Sequence, residues 1–229
     1  MRRFIFACFA LLALGGCQSA YYSAMEKAGI HKRDILVDRV EESRDAQQEA
    51  KQQFKDALER YRSVVEVKGG DLEKRYDALN EEYEASVASA RDVRARIEAV
   101  EDVADALFRE WESELKQYSN ASLKAASAKE LNRTRAEYRT LIQRMKAAEK
   151  RIDPVLSVLR DQVLFLKHNL NARAISALHG EYRTLQGNVD QLMADMQRAI
   201  DEAEFVASCM ADMSTSWEDF VSSVLGFLV

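Results

Sequence analysis

Residues 72–118 read LEKRYDALNEEYEASVASARDVRARIEAVEDVADALFREWESELKQY, and apolar side chains recur in them at alternating steps of four and three. This mean spacing of about 3.5 residues predicts a long α-helix whose one face packs against other helices, as in a coiled coil. Glu114 is the least suitable residue on this seam, and we expect Leu115 beside it to enter the core. The seam comprises Leu72, Tyr76, Leu79, Tyr83, Ser86, Ala90, Val93, Ile97, Val100, Ala104, Leu107, Trp111, Glu114 and Tyr118.

The same period continues on both sides of this stretch and predicts three further helical segments. The upstream seam comprises Leu36, Val40, Ser43, Gln47, Ala50, Phe54, Ala57, Tyr61 and Val64. The first downstream seam comprises Leu131, Thr134, Tyr138, Leu141, Met145, Ala148, Ile152, Val155, Leu159, Gln162, Leu166 and Asn169. The second comprises Leu178, Tyr182, Leu185, Val189, Leu192, Met196, Ala199, Ala203, Val206 and Met210.

Short polar or glycine-containing stretches separate the four segments. Residues 68–71 contain two glycines that allow a helix to end, and Asp71 is suited to cap the next helix. Residues 118–122 and 169–172 carry short polar side chains that compete for backbone hydrogen bonds and favour turns. Short turns make successive helices antiparallel neighbours.

The third segment contains the one proline of the chain, Pro154. The seam keeps its phase across this residue, which favours a kink, and the alternative is a break with Asp153 as N-cap. Over residues 155–170 the apolar side chains spread beyond one stripe, so we expect this part to be covered on several sides.

The predicted fold is all-α: an elongated antiparallel, coiled-coil-like bundle of about four long helices over residues 23–213. Thr215-Ser216-Trp217-Glu218 matches a capping box, which predicts a separate short apolar helix over residues 214–229. Polar residues on the seam, such as Gln47, are expected to fix the register of the helices, and a groove that opens to a partner helix or lipid is the alternative.

Composition and motifs argue against several classes of function. The formal charge is −5, whereas proteins that bind nucleic acid need a basic surface. We find no phosphate-cradling Gly-rich loop and no Gly-x-Ser-x-Gly nucleophile motif, and the three histidines lack metal-ligand spacing. We therefore expect neither an enzyme nor a bound cofactor or metal, and no nucleic acid partner.

The N-terminus is typical of a bacterial lipoprotein precursor. Two arginines precede a short apolar run, and Leu14-Gly15-Gly16-Cys17 resembles a lipobox. Residues 1–16 are then a signal peptide, and Cys17 is the acylated start of a tether over residues 17–22. An ordinary signal peptide or a buried N-terminal helix is the alternative. Gln18, where lipoproteins retained in the inner membrane carry aspartate, indicates the outer membrane.

Two segments are candidate contact surfaces. Residues 217–229 are rich in apolar side chains and carry only Glu218 and Asp219 as charges, and the bundle, a partner protein or the membrane interface has to cover them. His31-Lys32-Arg33 is a small basic cluster near the anchor, and it is either a solvated helix start or a contact for lipid headgroups or an acidic partner. The C-terminal side chains expected to contact a partner or membrane are Trp217, Phe220, Val224 and Phe227.

Several stretches also resemble a known family. They read YYSAMEK at residues 21–27, GIHKRDILVDRV at 29–40, DPVL at 153–156 and LKHNLNA at 166–172. They are similar to a family of bacterial lipoproteins known as domain of unknown function 2959, and the resemblance covers essentially the whole mature chain. It implies a coiled-coil lipoprotein and no particular reaction, because the family has no assigned function.

Two functions are consistent with these patterns. The first is a non-enzymatic scaffold or tether, lipid-anchored at the periplasmic face of the outer membrane, that docks on an envelope protein. The second is a periplasmic protein that binds lipid or another hydrophobe in a groove between helices. The heptad seam is buried against helices of the same chain or of other chains, so the sequence leaves the oligomeric state open.

Overall fold

The computed structural model describes residues 21–22, 24–66, 71–169 and 171–225, and it describes side chains as far as Met210 except those of Ala172 and Ala174. In these residues the chain is all-α, as predicted, and no strand is found among them. The helices are α1 (Lys32–Glu66), α2 (Leu72–Glu114), α3 (Ala121–Lys150), α4 (Ile152–His168) and α5 (Ala172–Leu225). A short helical segment at residues 24–27 precedes α1.

The helices form an antiparallel four-membered bundle in which α3 and α4 together act as one member. Helix α1 packs against α2 and α5, and the α3–α4 rod closes the ring by packing against the same two helices. Lys32 at the start of α1 reaches Glu110 near the end of α2, which shows the antiparallel arrangement. The bundle therefore has two ends, and the one that carries Lys32 and the end of α2 is called the hook end below.

The predicted seams form the core. All nine seam positions of α1 are buried, and the seam of α5 is buried apart from the half-buried Tyr182. Leu115 packs against the core and Glu114 is exposed, as expected. The polar seam residues buried with the apolar ones are Ser43, Gln47, Ser86, Thr134 and Gln162.

All three predicted turns carry a capping side chain, Asn171 accepting from the Arg173 N–H at 3.0 Å in the third, and residues 68–70 of the first turn lie outside the described residues. The Asp71 side chain accepts hydrogen bonds from the backbone N–H groups of Glu73 and Lys74. Asn120 does the same for Ser122 and Leu123 at N···O distances of 2.9 and 3.2 Å. These bonds satisfy donors that have no partner within the helix.

The interruption near Pro154 is a kink. Arg151 alone separates α3 from α4, and its φ of −81° and ψ of −13° stay in the right-handed helical region. A proline clashes with the carbonyl four residues before it, which here is that of Lys150, the last residue of α3. The alternative with Asp153 as N-cap is excluded, because α4 begins at Ile152.

Two expectations about the second half of the chain need correction. The break before residue 214 is absent, since α5 continues to Leu225 as one helix of 54 residues. No glycine or proline occurs over residues 188–225, so a formed helix propagates through the Ser and Thr residues. The expected cover of the apolar surplus of α4 on several sides is only partial: Val163 is buried, but Leu164 and Phe165 are 49% and 40% exposed.

Candidate functional site

The chain before α1 folds into a compact hook, which we define as Tyr21, Tyr22 and residues 24–31. Gly29 has a φ of +82°, and this left-handed conformation reverses the chain after the helical segment. The backbone N–H of Gly29 donates to the carbonyl of Glu26 at 2.9 Å, and that of Ile30 donates to the carbonyl of Met25 at 3.0 Å. This pair of bonds is a Schellman motif, which ends the segment and sends the chain into α1.

A largely buried lysine, Lys32, contributes to holding the hook against α1 and α2. Lys32 Nζ donates to the carboxylate of Glu26 in the hook and, at 2.9 Å, to Glu110 Oε1 in α2. The same Nζ lies 5.8 Å from the ring centroid of Tyr22, which is only 8% exposed. The hook is therefore attached to the bundle by the burial of the Tyr22 ring and by the ion pairs of Lys32.

The ionisation of these groups reflects that arrangement. Hydrogen bonding to Lys32 lowers the pKa of the Glu26 carboxyl. Burial raises the pKa of Glu110, and Lys32 opposes that rise only in part. Burial tends to lower the pKa of Lys32, but the two carboxylates raise it overall. The lysine therefore stays charged while it links the hook to the bundle.

This use of Lys32 changes the interpretation of the basic cluster at residues 31–33. The Lys32 side chain is only 11% exposed and both its carboxylate partners belong to the same chain. Arg33 Nε lies 3.8 Å from a carboxylate oxygen of Asp34. Lys32 and Arg33 thus lie beside carboxylates of the same chain while His31 is exposed, and these contacts do not support an alternative role of the cluster in binding headgroups.

The residues predicted as sites fall at or beyond the described limits. Cys17 and Phe227 lie outside the described residues, and the side chains of Trp217, Phe220 and Val224 are not described, although their backbone belongs to α5. Because α5 runs antiparallel to α1, its C-terminal part lies toward the hook end. The segment that follows Cys17 and the apolar end of α5 therefore share one end of the bundle.

Two surface clefts of the described part are lined mainly by charged side chains. A cleft of about 310 Å³ between α2 and α3 contains Arg135, whose guanidinium lies 4.9 Å from the Phe108 ring centroid and donates to Glu112 at 2.8 Å. Burial raises the pKa of Tyr138 in the same cleft to about 12. A second cleft of about 490 Å³ separates α1 from α5 and includes Lys51, Lys55 and Arg62.

Other features of the described residues bear on the remaining predictions. Within them, no group of three His, Cys, Asp or Glu side chains is placed to hold a metal ion. None of the described helices combines the length and apolar character needed to cross a bilayer. Cys209 is a free cysteine and is half-buried.

The hook end also carries a surface that the sequence patterns did not single out. Residues 115–129, which we call the basic foot, link α2 to α3 and form the first turns of α3. They read LKQYSNASLKAASAK and contain three lysines with no Asp or Glu. Tyr118 and Leu123 of the foot are 40% and 55% exposed. The sequence feature that could have revealed this surface is the absence of Asp and Glu from residues 115–129 of an otherwise acidic protein.

The architecture defines the class of protein, which is an antiparallel coiled-coil-like bundle with a continuous heptad core and an N-terminal hook. The chain belongs to the family described as Protein of unknown function (DUF2959), which matches residues 21–210. The match begins at the hook and ends at Met210, the last described residue of the buried seam. No curated protein matches the chain.

Proposed function

We propose that this chain is a non-enzymatic lipoprotein, anchored in the outer membrane through acyl chains on Cys17, whose bundle acts as a periplasmic scaffold or tether. The Leu14-Gly15-Gly16-Cys17 sequence supports the anchor, because a basic n-region and short apolar run precede it. Several acyl chains on one cysteine hold a protein at a membrane more firmly than a single chain does.

The observation that carries this proposal is the burial of Tyr22 on the bundle, five residues after Cys17. A lipoprotein with a long flexible linker moves independently of its anchor, whereas here the bundle begins almost at the lipid. Such a connection suits a rod that presents its surface at a set height above the membrane. Helix α1 alone, with 35 residues, extends about 50 Å at the rise of an α-helix.

The partner in this proposal is an envelope protein, and the apolar end of α5 is the surface assigned to it. Residues 217–229 carry only two charged side chains, Glu218 and Asp219. Exposed apolar faces of this kind are commonly covered by a partner protein. Trp217, Phe220, Val224 and Phe227 are the side chains expected to make that contact.

The test is affinity purification of the acylated protein from mildly solubilised membranes, with Cys17→Ser as control. Proteins and lipids that co-purify are identified by mass spectrometry. We expect a stoichiometric envelope protein that is lost when residues 214–229 are deleted. A chain without acyl groups on Cys17, or one that retains no protein, would overturn the tether.

The alternative of hydrophobe binding has one supporting observation, the exposure of Leu164 and Phe165 on the outer face of α4. Apolar side chains at such positions contact a bound lipid in hydrophobe-binding proteins. A defined lipid retained by both the acylated and the Cys17→Ser forms, without a protein partner, would favour this function. Replacing Phe165 by Ser would then release that lipid.

A further inference from the structure

We infer that the basic foot, residues 115–129, is a membrane-contact surface that rests on anionic lipid headgroups at the hook end of the bundle. This inference rests on the proposed anchor at Cys17 for its orientation. It adds a second, non-covalent contact with the same membrane, made by residues that the anchor does not include.

Charge is the first argument for the foot. Lys116, Lys124 and Lys129 are all exposed, and none of the three forms an ion pair with any side chain that the structure describes. The stretch carries a formal charge of +3 in a chain whose total is −5. Lysines near an anionic membrane surface each add favourable electrostatic energy.

Apolar exposure is the second argument. Seven large apolar side chains among the described residues are exposed, and four of them lie at the hook end: Tyr21, Ile30, Tyr118 and Leu123. Tyrosine is favoured where a membrane meets water, because its ring is apolar and its hydroxyl is polar. The N-terminus of α3 also lies in the foot, and the positive end of its dipole favours phosphate groups.

The third argument is the length of chain between the anchor and the hook. The Tyr22 ring centroid lies 5.8 Å from Lys32 Nζ, which donates to Glu110 of α2, so the hook begins close to the end of that helix. From Glu110 to the end of α2 at Glu114 the helix extends about 6 Å. The four residues from Cys17 to Tyr21 span at most about 14 Å when fully extended.

These lengths place the membrane relative to the foot. Cys17 therefore stays within about 14 Å of Tyr21 when the bundle stands on its hook end. Residues 115–120 of the foot follow the end of α2, and the first turns of α3 return beside α2, where Trp111 Nε1 donates to Ser127 Oγ at 2.9 Å. A bilayer that receives the acyl chains therefore meets the foot as well.

The principal experiment measures membrane depth in the acylated full-length protein with Cys209 replaced by Ala. Single spin labels are placed at Leu123 in the foot and at Phe165, which is exposed near the other end of the bundle. In vesicles of phosphatidylcholine with phosphatidylglycerol, the label at residue 123 should be accessible to oxygen in the lipid and protected from an aqueous nickel complex. The label at residue 165 should be fully accessible from water.

Each other outcome has a distinct meaning. Acylated protein with an aqueous label at residue 123 would overturn the foot and leave the proposed anchor intact. Lipid contact at both positions would mean that the bundle lies flat, which also overturns the foot. Absence of acyl groups on Cys17, read from the mass of the protein, would instead remove the proposed function.

A second measurement isolates the lysines. The full mature chain with Cys17→Ser is mixed with the same vesicles, and its partitioning is compared with that of Lys116→Gln/Lys124→Gln/Lys129→Gln. We expect partitioning to fall about five-fold per lysine replaced. Equal partitioning of the two proteins would contradict the inference.

A matched control separates position from net charge. It carries the same number of Lys→Gln changes at exposed positions away from the foot: Lys55, Lys150 and Lys167. We expect this control to bind vesicles as the unmodified chain does. An equal loss of partitioning in both triple variants would show that only total charge matters, and it would overturn the proposed membrane contact of the foot.

Discussion

At the scale of single residues, the core contains polar side chains that a purely apolar seam would exclude. Ser43 Oγ donates to Met145 Sδ at 3.7 Å, which joins α1 to α3. Gln47 Oε1 and Thr134 Oγ1 are buried and accept no hydrogen bond from the described residues. Buried polar groups without partners cost stability, and their common compensation is a fixed register between helices.

Gln47→Leu is therefore expected to stabilise the bundle by about 1 kcal/mol, because it removes a buried carbonyl oxygen that has no partner. Urea denaturation followed by circular dichroism measures this free energy of unfolding. Phe54→Ala is the contrasting variant and should cost about 3 kcal/mol or more, since Phe54 is fully buried. A loss of stability in Gln47→Leu would contradict this prediction and would show that the bond from Gln47 Nε2 to the Ser43 carbonyl, at 3.4 Å, outweighs the unpaired oxygen.

Two glycines on α5 lead to a second prediction about stability, which concerns the flexibility of the backbone. A Cβ built at Gly180 or Gly187 would meet no atom within 4 Å. Each Gly→Ala change should raise the free energy of unfolding by about 0.5–1 kcal/mol, since glycine is costly inside a helix. Gly29→Ala is the matched control and should destabilise the hook, because Gly29 has a φ of +82°.

At the scale of elements, the hook has a contact whose strength depends on pH. The pKa of Glu26 is lowered by its hydrogen bond to Lys32, so this contact stabilises the fold fully above the ordinary glutamate pKa. The stabilisation is lost as the pH falls through the lowered value. Lys32 has a raised pKa and keeps its charge throughout that range.

The protection factors of the amides of residues 24–30, taken relative to intrinsic exchange at each pH, should therefore fall in acid before the rest of the bundle unfolds. Glu26→Gln should remove this acid dependence, and Lys32→Gln should leave the hook amides unprotected at neutral pH. Asp105→Asn is a control, because its partner Arg109 lies on the same helix and neither touches the hook. Unchanged protection in Lys32→Gln would contradict the assigned role of the lysine.

Helix ends and outer faces were harder to predict than helix interiors. The capping-box pattern at residues 215–218 occurs within α5, where an already formed helix continues across it. The apolar spread on α4 indicated cover on several sides, yet only the faces toward α2 and α5 are packed. Composition shows which residues are apolar, whereas the number of neighbouring helices decides how many of them are buried.

At the scale of the whole molecule, the length of the α3–α4 rod depends on the chain keeping its direction through the kink at Arg151. Residues 123 and 165 lie on α3 and α4, which continue in one direction through the kink. Spin labels at both positions should be separated by about 60 Å, as measured by pulsed dipolar spectroscopy. A separation shorter than α3 itself, about 45 Å, would mean that α4 turns back at Pro154.

Local periodicity was sufficient to predict the helices, the buried seams and the capping residues Asp71 and Asn120. A heptad repeat depends only on neighbouring turns of one helix, so it is readable in the chain without any knowledge of its partners. The hook and the foot were not readable in this way. Lys32 pairs with Glu110 across 78 residues, and the foot extends beyond α2 because of how the helices align. Such contacts arise from the register between helices, which the period of each helix does not specify.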